Sequence, residues 1–133
     1  MAGFDLATYL GERKTFIERQ LDRILPAEAE EPREVSAAMR YGTLRGGKRL
    51  RPLMALVVAE INGFEQADVS DAACAIELVH AASLILDDLP SMDDARTRRG
   101  QPCTHLVFGE STAVLAAMDL IAIAYRLVAD NAD

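Results

Sequence analysis

Cysteine is scarce in this chain, with Cys74 and Cys103 the only two among 133 residues. A single possible pair gives no disulfide framework, and Cys74 lies within an apolar helical run, so a reduced, cytoplasmic protein is the simplest expectation. Positive charge is also short: 14 Lys and Arg stand against 21 Asp and Glu, a formal net charge of −7 that argues against a general nucleic-acid surface. Ala113 to Tyr125 is nearly continuous in apolar residues, yet Asp119 interrupts it and it falls short of the roughly 20 residues of a membrane span. No span is expected. Met1-Ala2-Gly3-Phe4-Asp5 has neither a basic start nor an apolar core, which argues against a signal peptide. What the chain does have is a hydrophobic content of 50%, ample for the core of one domain or part of one.

The apolar residues recur at helical spacing. Leu6, Leu10, Ile17, Leu21 and Ile24 predict an amphipathic helix over about 4–25, ended by Pro26. Glu28-Ala29-Glu30-Glu31 reads as a solvated linker, and Pro32 as the first residue of a short helix through Val35, Ala38 and Met39 that Gly42 stops. Pro52 is expected to open a third helix through Ile61, closed by Asn62-Gly63. Asp68 or Ser70 should cap a fourth, running through Cys74, Ile76, Val79 and Leu84. Pro102 or Thr104 starts a short helix to Gly109, and Ser111 caps a last one through Leu115, Ile121 and Leu127. The expectation is an all-α partial bundle of about five to six helices without strands, whose Ala-rich helices belong inside a larger bundle. Asp119, within an apolar helix, should be paired or at an inner wall.

The chemistry concentrates where the fourth helix ends. Asp87-Asp88-Leu89-Pro90-Ser91-Met92-Asp93-Asp94 gathers four carboxylates that repel one another, and a hard cation such as Mg²⁺ is the usual reason to do so. Mg²⁺ takes only one or two carboxylates plus phosphate oxygens, so the metal would bridge protein and anion. Pro90 removes a helical hydrogen bond, and the resulting distortion can swing Asp93 back toward Asp87. His80 and Asp87 share a face two turns apart, about 10 Å at helical rise. A lone His on such a helix is as readily a core residue bonded to a carbonyl as a phosphate donor. Arg98-Arg99-Gly100 and the segment Gly46-Gly47-Lys48-Arg49-Leu50-Arg51-Pro52 supply positive charge, and acid for a metal beside base for an anion points to a phosphorylated substrate.

Gly42 to Lys48 matches the first seven positions of the phosphate-cradling pattern G-x-x-x-x-G-K-[ST], but Arg49 stands where the hydroxyl is needed and a helix precedes it where a strand is required. A nucleotide hydrolase is therefore set aside. The glycines instead let Lys48 and Arg51 approach an anion.

Taken in order, Gly46-Gly47-Lys48-Arg49-Leu50-Arg51-Pro52, His80, Asp87-Asp88-x-x-x-x-Asp93 and Arg98-Arg99-Gly100-Gln101-Pro102 resemble the trans-isoprenyl diphosphate synthases, the polyprenyl synthetase family. The resemblance covers the chain from about Gly42 onward. It implies an isoprenoid-synthase-type helical bundle that joins an allylic diphosphate to isopentenyl diphosphate. By the resemblance, Asp87, Asp88 and Asp93 would hold Mg²⁺ on the allylic diphosphate with Arg98 touching the same group, and Lys48, Arg51, His80 and Arg99 would hold isopentenyl diphosphate. Small residues at Ala82 and Ser83, where the family places a tunnel floor, favour a geranylgeranyl product, and Ala82→Tyr should shorten it. The family's second aspartate-rich motif is missing from these residues. Residues 1–133 are thus expected to be the amino-terminal half of one all-α prenyltransferase domain, inactive alone, and prone to form a homodimer or higher oligomer through uncovered apolar faces. Two other readings stay open: a binding or regulatory half-bundle without turnover, and a Mg²⁺-dependent diphosphate hydrolase.

Overall fold

Asp5 begins the first helix by turning its carboxylate onto the backbone N–H groups of Ala7 and Thr8, an N-cap that contributes about 1 kcal/mol. From there the computed structural model, which describes residues 3–132, builds six helices: α1 (Leu6–Ile24), α2 (Arg33–Leu44), α3 (Leu50–Ile61), α4 (Gln66–Asp87), α5 (Thr104–Phe108) and α6 (Glu110–Asn131). The amino-terminal Met1-Ala2 of the signal-peptide argument lies outside the described residues, as does Asp133. The all-α expectation holds, with one small addition: β1 (Thr97–Arg98) pairs antiparallel with β2 (Gln101–Pro102).

Several boundaries differ from expectation for physical reasons. Pro32 is the N-cap of α2 rather than its first residue, and α2 runs through Gly42 to Leu44. Gly42 packs against α4: a Cβ there would lie 2.6 Å from Ile85 Cδ1. Its glycine serves close helix approach, not termination. Leu50 starts α3 two residues before Pro52. For α4, Glu65 is the cap and Asp68 the reciprocal partner in a capping box, one turn inside the helix.

α4 is the central element, packed against α1, α2, α3 and most extensively α6. Leu56, Leu78 and Leu120 are fully buried there, and truncating any of them to Ala should cost about 2–5 kcal/mol. Alanines 73, 81, 82, 113, 116 and 117 let α4 and α6 approach closely. The length argument against a membrane span does not survive, because α4 and α6 are each 22 residues and apolar enough to cross one by length and composition. Here they form the core pair. Asp119 is exposed rather than paired or lining an inner wall. Met54, Val58 and Ile61 on α3, Ile76 and Val79 on α4, and Met118, Tyr125 and Val128 on α6 leave apolar faces open.

Candidate active site

The end of α4 folds back on itself. Asp88 is the C-cap, and beyond Pro90 the backbone N–H of Asp93 donates to the Asp87 carbonyl at 2.9 Å while that of Ala95 donates to the Asp88 carbonyl at 3.2 Å. Asp94 completes the reversal in a left-handed conformation, φ 48°. The backbone of Asp93 is thereby held against Asp87, as the break at Pro90 suggests.

The three aspartates read as metal-binding then part company. Asp87 and Asp93 are exposed. Asp88 is buried, and both its oxygens accept from Arg98, Oδ2 from Nε and Oδ1 from Nη2, each at 2.7 Å. This bidentate pair holds the Arg98 guanidinium above its ordinary pKa, chiefly through the Asp88 hydrogen bonds. Among the described residues no three His, Cys, Asp or Glu side chains gather closely enough to cage a metal ion. The donor set nonetheless fits Mg²⁺ in its usual mode, with two free all-oxygen ligands from Asp87 and Asp93 and the remainder left to water and phosphate.

The hairpin β1–β2 places the arginines. Its two connecting residues, Arg99 (φ 53°) and Gly100 (φ 75°), both have positive φ, the signature of a type I′ turn. Arg98 therefore faces Asp88, and Arg99 reaches the glycine loop, donating from Nη1 to the Gly46 carbonyl at 2.6 Å. Gly47 (φ 117°) makes room: a Cβ there would lie 2.8 Å from Arg99 Cζ. On α3, Arg51 Nη1 stands 3.3 Å from His80 Nε2 of α4. Lys48 is exposed and, among the described residues, makes no ion pair.

Arg51 and His80 thus stand together, and Arg99 is tied to the glycine loop that leads into Lys48. Positive charge is concentrated around them. Burial and then Arg51 push the His80 pKa down, and burial and then Arg49 push that of Arg99 down. Cations crowd without full compensation. An open cavity of about 500 Å³ starts at Arg51 and His80 and is lined by Ile76, Val79, Ser83 and Tyr125. Ser83 enters this cavity, but Ala82 is fully buried against the core, so the two positions read together as the tunnel floor have different surroundings.

Sequence reasoning assigned no role to Arg49, Glu77 or Glu18, although they form a buried ion-pair cluster behind this site. Glu77, a charge on an otherwise apolar turn of α4, was the available signal.

A match to the polyprenyl synthetase family model extends over residues 32–133. The chain belongs to the polyprenyl synthetase family. It is 50% identical over 116 residues to a geranylgeranyl diphosphate synthase of Pantoea ananas, covering 86% of this chain and 38% of that protein. It is 46% identical over 123 residues to geranylgeranyl pyrophosphate synthase 4 of Arabidopsis thaliana, covering 92% and 32% respectively. Among solved structures, a FPP/GFPP synthase of Zymomonas mobilis superposes with a TM-score of 0.88 at 35% identity, over 93% of this chain and 45% of that one. The chain therefore spans about a third of the length of these curated relatives. Superposition over 93% of the chain on two such solved structures makes the bundle of α1–α6 part of an isoprenoid-synthase bundle.

Proposed function

We propose that this chain carries the front part of the active site of a Mg²⁺-dependent prenyltransferase that condenses an allylic diphosphate with isopentenyl diphosphate, with geranylgeranyl diphosphate as product. The observation that carries the proposal is the shared end of α4. Two exposed carboxylates, Asp87 and Asp93, stand there, Arg51 of α3 and His80 of the preceding turns lie at the mouth of an apolar cavity, and Arg99 reaches the glycine loop that leads into Lys48. The geranylgeranyl diphosphate synthases among its relatives support the choice of product.

Asp87 and Asp93 would hold Mg²⁺ on the allylic diphosphate, and Asp88 would serve by fixing Arg98 against that group. When bound, Mg²⁺ supplies neutralisation of the charge that builds on a departing diphosphate. Arg98, oriented by both Asp88 oxygens, adds a fixed donor aimed at the same oxygens. Lys48, Arg51, His80 and Arg99 hold the second diphosphate, so that its alkene lies beside the allylic carbon. As the carbon–oxygen bond breaks, the alkene attacks that carbon and the new cation loses a proton. The apolar cavity past Ser83 receives the growing tail.

A second reading is a half-bundle that binds diphosphates or a partner without turnover, favoured by the uncovered apolar faces of α3, α4 and α6. Those faces also support assembly as a homodimer or larger oligomer. Buried, unpaired Cys74 and Cys103 support residence in a reducing compartment such as the cytoplasm.

Calorimetric titration with inorganic diphosphate, with and without Mg²⁺, tests the binding step. One diphosphate site should need Mg²⁺, and that Mg²⁺-dependent binding should be lost in Asp87→Ala/Asp93→Ala. A product assay with labelled isopentenyl diphosphate separates turnover from binding alone, and release of diphosphate without condensation would indicate a hydrolase. Failure of the chain to take diphosphate under any of these conditions refutes the proposal.

A further inference from the structure

Arg49 sits between Lys48 and Arg51, the two residues given above to isopentenyl diphosphate, yet its side chain has 0% exposure. It cannot reach a ligand. Its guanidinium is committed to partners on three helices: Nε donates to Glu18 Oε1 at 2.7 Å, Nη1 to Glu77 Oε1 at 2.8 Å, and Nη2 to the Thr43 carbonyl at 2.7 Å. Its backbone is left-handed, φ 54°, a conformation that a non-glycine residue keeps only when its surroundings impose it. From that turn its carbonyl accepts the N–H of Leu53 at 3.0 Å and so starts α3. The side chain goes inward, and Lys48 and Arg51 on either side remain exposed.

Glu77 is the more deeply buried of the two carboxylates in this cluster, with a side chain 3% exposed one helical turn before His80. A carboxylate this deep needs a cation. Arg49 is shared by Glu77 and Glu18, so the three groups together carry one surplus negative charge. That surplus acts on the neighbouring cations. Burial, then Arg51, and more weakly Arg99 and Arg98 depress His80, whereas Glu77 acts in the opposite direction; burial and then Arg49 depress Arg99, and Glu77 and Glu18 counter them.

We propose that Glu77 and Arg49 are a positioning pair: Glu77 holds Arg49 in its left-handed turn, which aims Lys48 and Arg51 at one diphosphate, and it supplies the counter-charge that lets His80 and Arg99 stand beside them. The inference rests on the function proposed above and deepens it by naming what organises the anion-binding side. Neither residue touches substrate.

The test uses the whole chain, inorganic diphosphate as the calorimetric probe, and imidazole NMR of His80, which is assigned by its loss in His80→Gln because the only other histidine is His105. Glu77→Gln keeps the shape and removes the charge. A folded Glu77→Gln protein should bind diphosphate about tenfold more weakly or worse, the scale of one displaced charged hydrogen bond, and its His80 titration midpoint should fall. Arg49→Lys keeps the charge but not the three-way reach; it should weaken diphosphate to a similar degree and leave the His80 midpoint in place. A merely structural role would lower the melting temperature without moving that midpoint.

Wild-type diphosphate affinity together with an unmoved midpoint in folded Glu77→Gln overturns the pair. Should Glu77→Gln not fold, Arg49→Lys decides: weakened binding in a folded protein supports the pair, and unchanged binding overturns it. If the unmodified chain takes no diphosphate, the proposed function fails, and the pair is judged on the midpoint alone. Lowered in Glu77→Gln it stands; unmoved it falls.

Discussion

Replacing Gly47 with Ala should cost anion affinity chiefly through Arg99, and the structure sets the size of each effect. At φ 117° an alanine is strained, a cost of about 1–3 kcal/mol. The added Cβ would lie 2.8 Å from Arg99 Cζ and 2.9 Å from Nη2, so one of the two groups must move. The guanidinium is the tip of a flexible, exposed chain, and it gives way more cheaply than the loop does. Swinging out, it loses its hydrogen bond to the Gly46 carbonyl and its fixed place on the glycine loop. A charged hydrogen bond to phosphate contributes about 1.5–3 kcal/mol, so diphosphate should bind roughly ten- to a hundredfold more weakly. Calorimetry on the unaltered chain, Gly47→Ala, Arg99→Ala and the double variant closes a cycle. With Arg99 already gone, Gly47→Ala should change the affinity by less than about twofold, since no guanidinium remains to displace. An equal loss in both backgrounds would show that strain spreads into Lys48 instead, and the reasoning would be wrong.

Other consequences can be checked separately. Gly42→Ala gains about 1 kcal/mol in helix propensity but drives a Cβ onto the buried Ile85, an overpacking of about 1–3 kcal/mol, so urea unfolding should show net loss and Ile85→Val should relieve it; a stabilised Gly42→Ala would refute this. Asp88→Asn removes the carboxylate that pairs with Arg98, and because Arg98 is 37% exposed the cost should be nearer ~1–2 kcal/mol than the larger loss of a fully buried pair; an unfolding midpoint equal to the parent's would contradict it. His80 has a folded pKa held below its ordinary 6.5 by burial and Arg51, so its linkage leaves stability untouched above that ordinary value and removes it as pH falls from there through the folded value. Unfolding curves of His80→Gln should lack that share of the acid limb, and identical limbs would rule it out. Ser83→Tyr should shorten the product in chromatography by filling the cavity, whereas Ala82→Tyr, at a fully buried position, should lower the melting temperature instead; a stable Ala82→Tyr protein would sink that distinction.

The helices were legible because their signal is redundant. Leu78, Ala81, Ala82 and Ile85 repeat on the buried face of α4, and no single position decides such a pattern. Their ends were less legible because each rests on one residue whose meaning depends on its neighbours. Gly42 reads locally as a stop and in space as room for Ile85. Arg99-Gly100 reads as two more residues of a basic motif, yet its two positive φ angles make the turn that orients Arg98 and Arg99 in different directions. Helical periodicity carries no trace of a six-residue hairpin.

The site divides along a similar line. Residue type and order nominate Asp87, Asp93, Lys48, Arg51, His80 and Arg99, because a metal-bridged anion calls for such groups whatever surrounds them. Pairing is a property of space, and the motif strings do not encode it. Asp87 and Asp88 are adjacent and chemically equal in the sequence, but the helix turns one to solvent and the other onto Arg98. Lys48, Arg49 and Arg51 read as one basic run, but burial converts the middle cation into a strut between Glu18 and Glu77. A charged residue on an apolar helix is therefore ambiguous until its partner is known. Asp119 and Glu77 both interrupt apolar helices, and the exposed Asp119 interacts with solvent while the buried Glu77 is paired with Arg49.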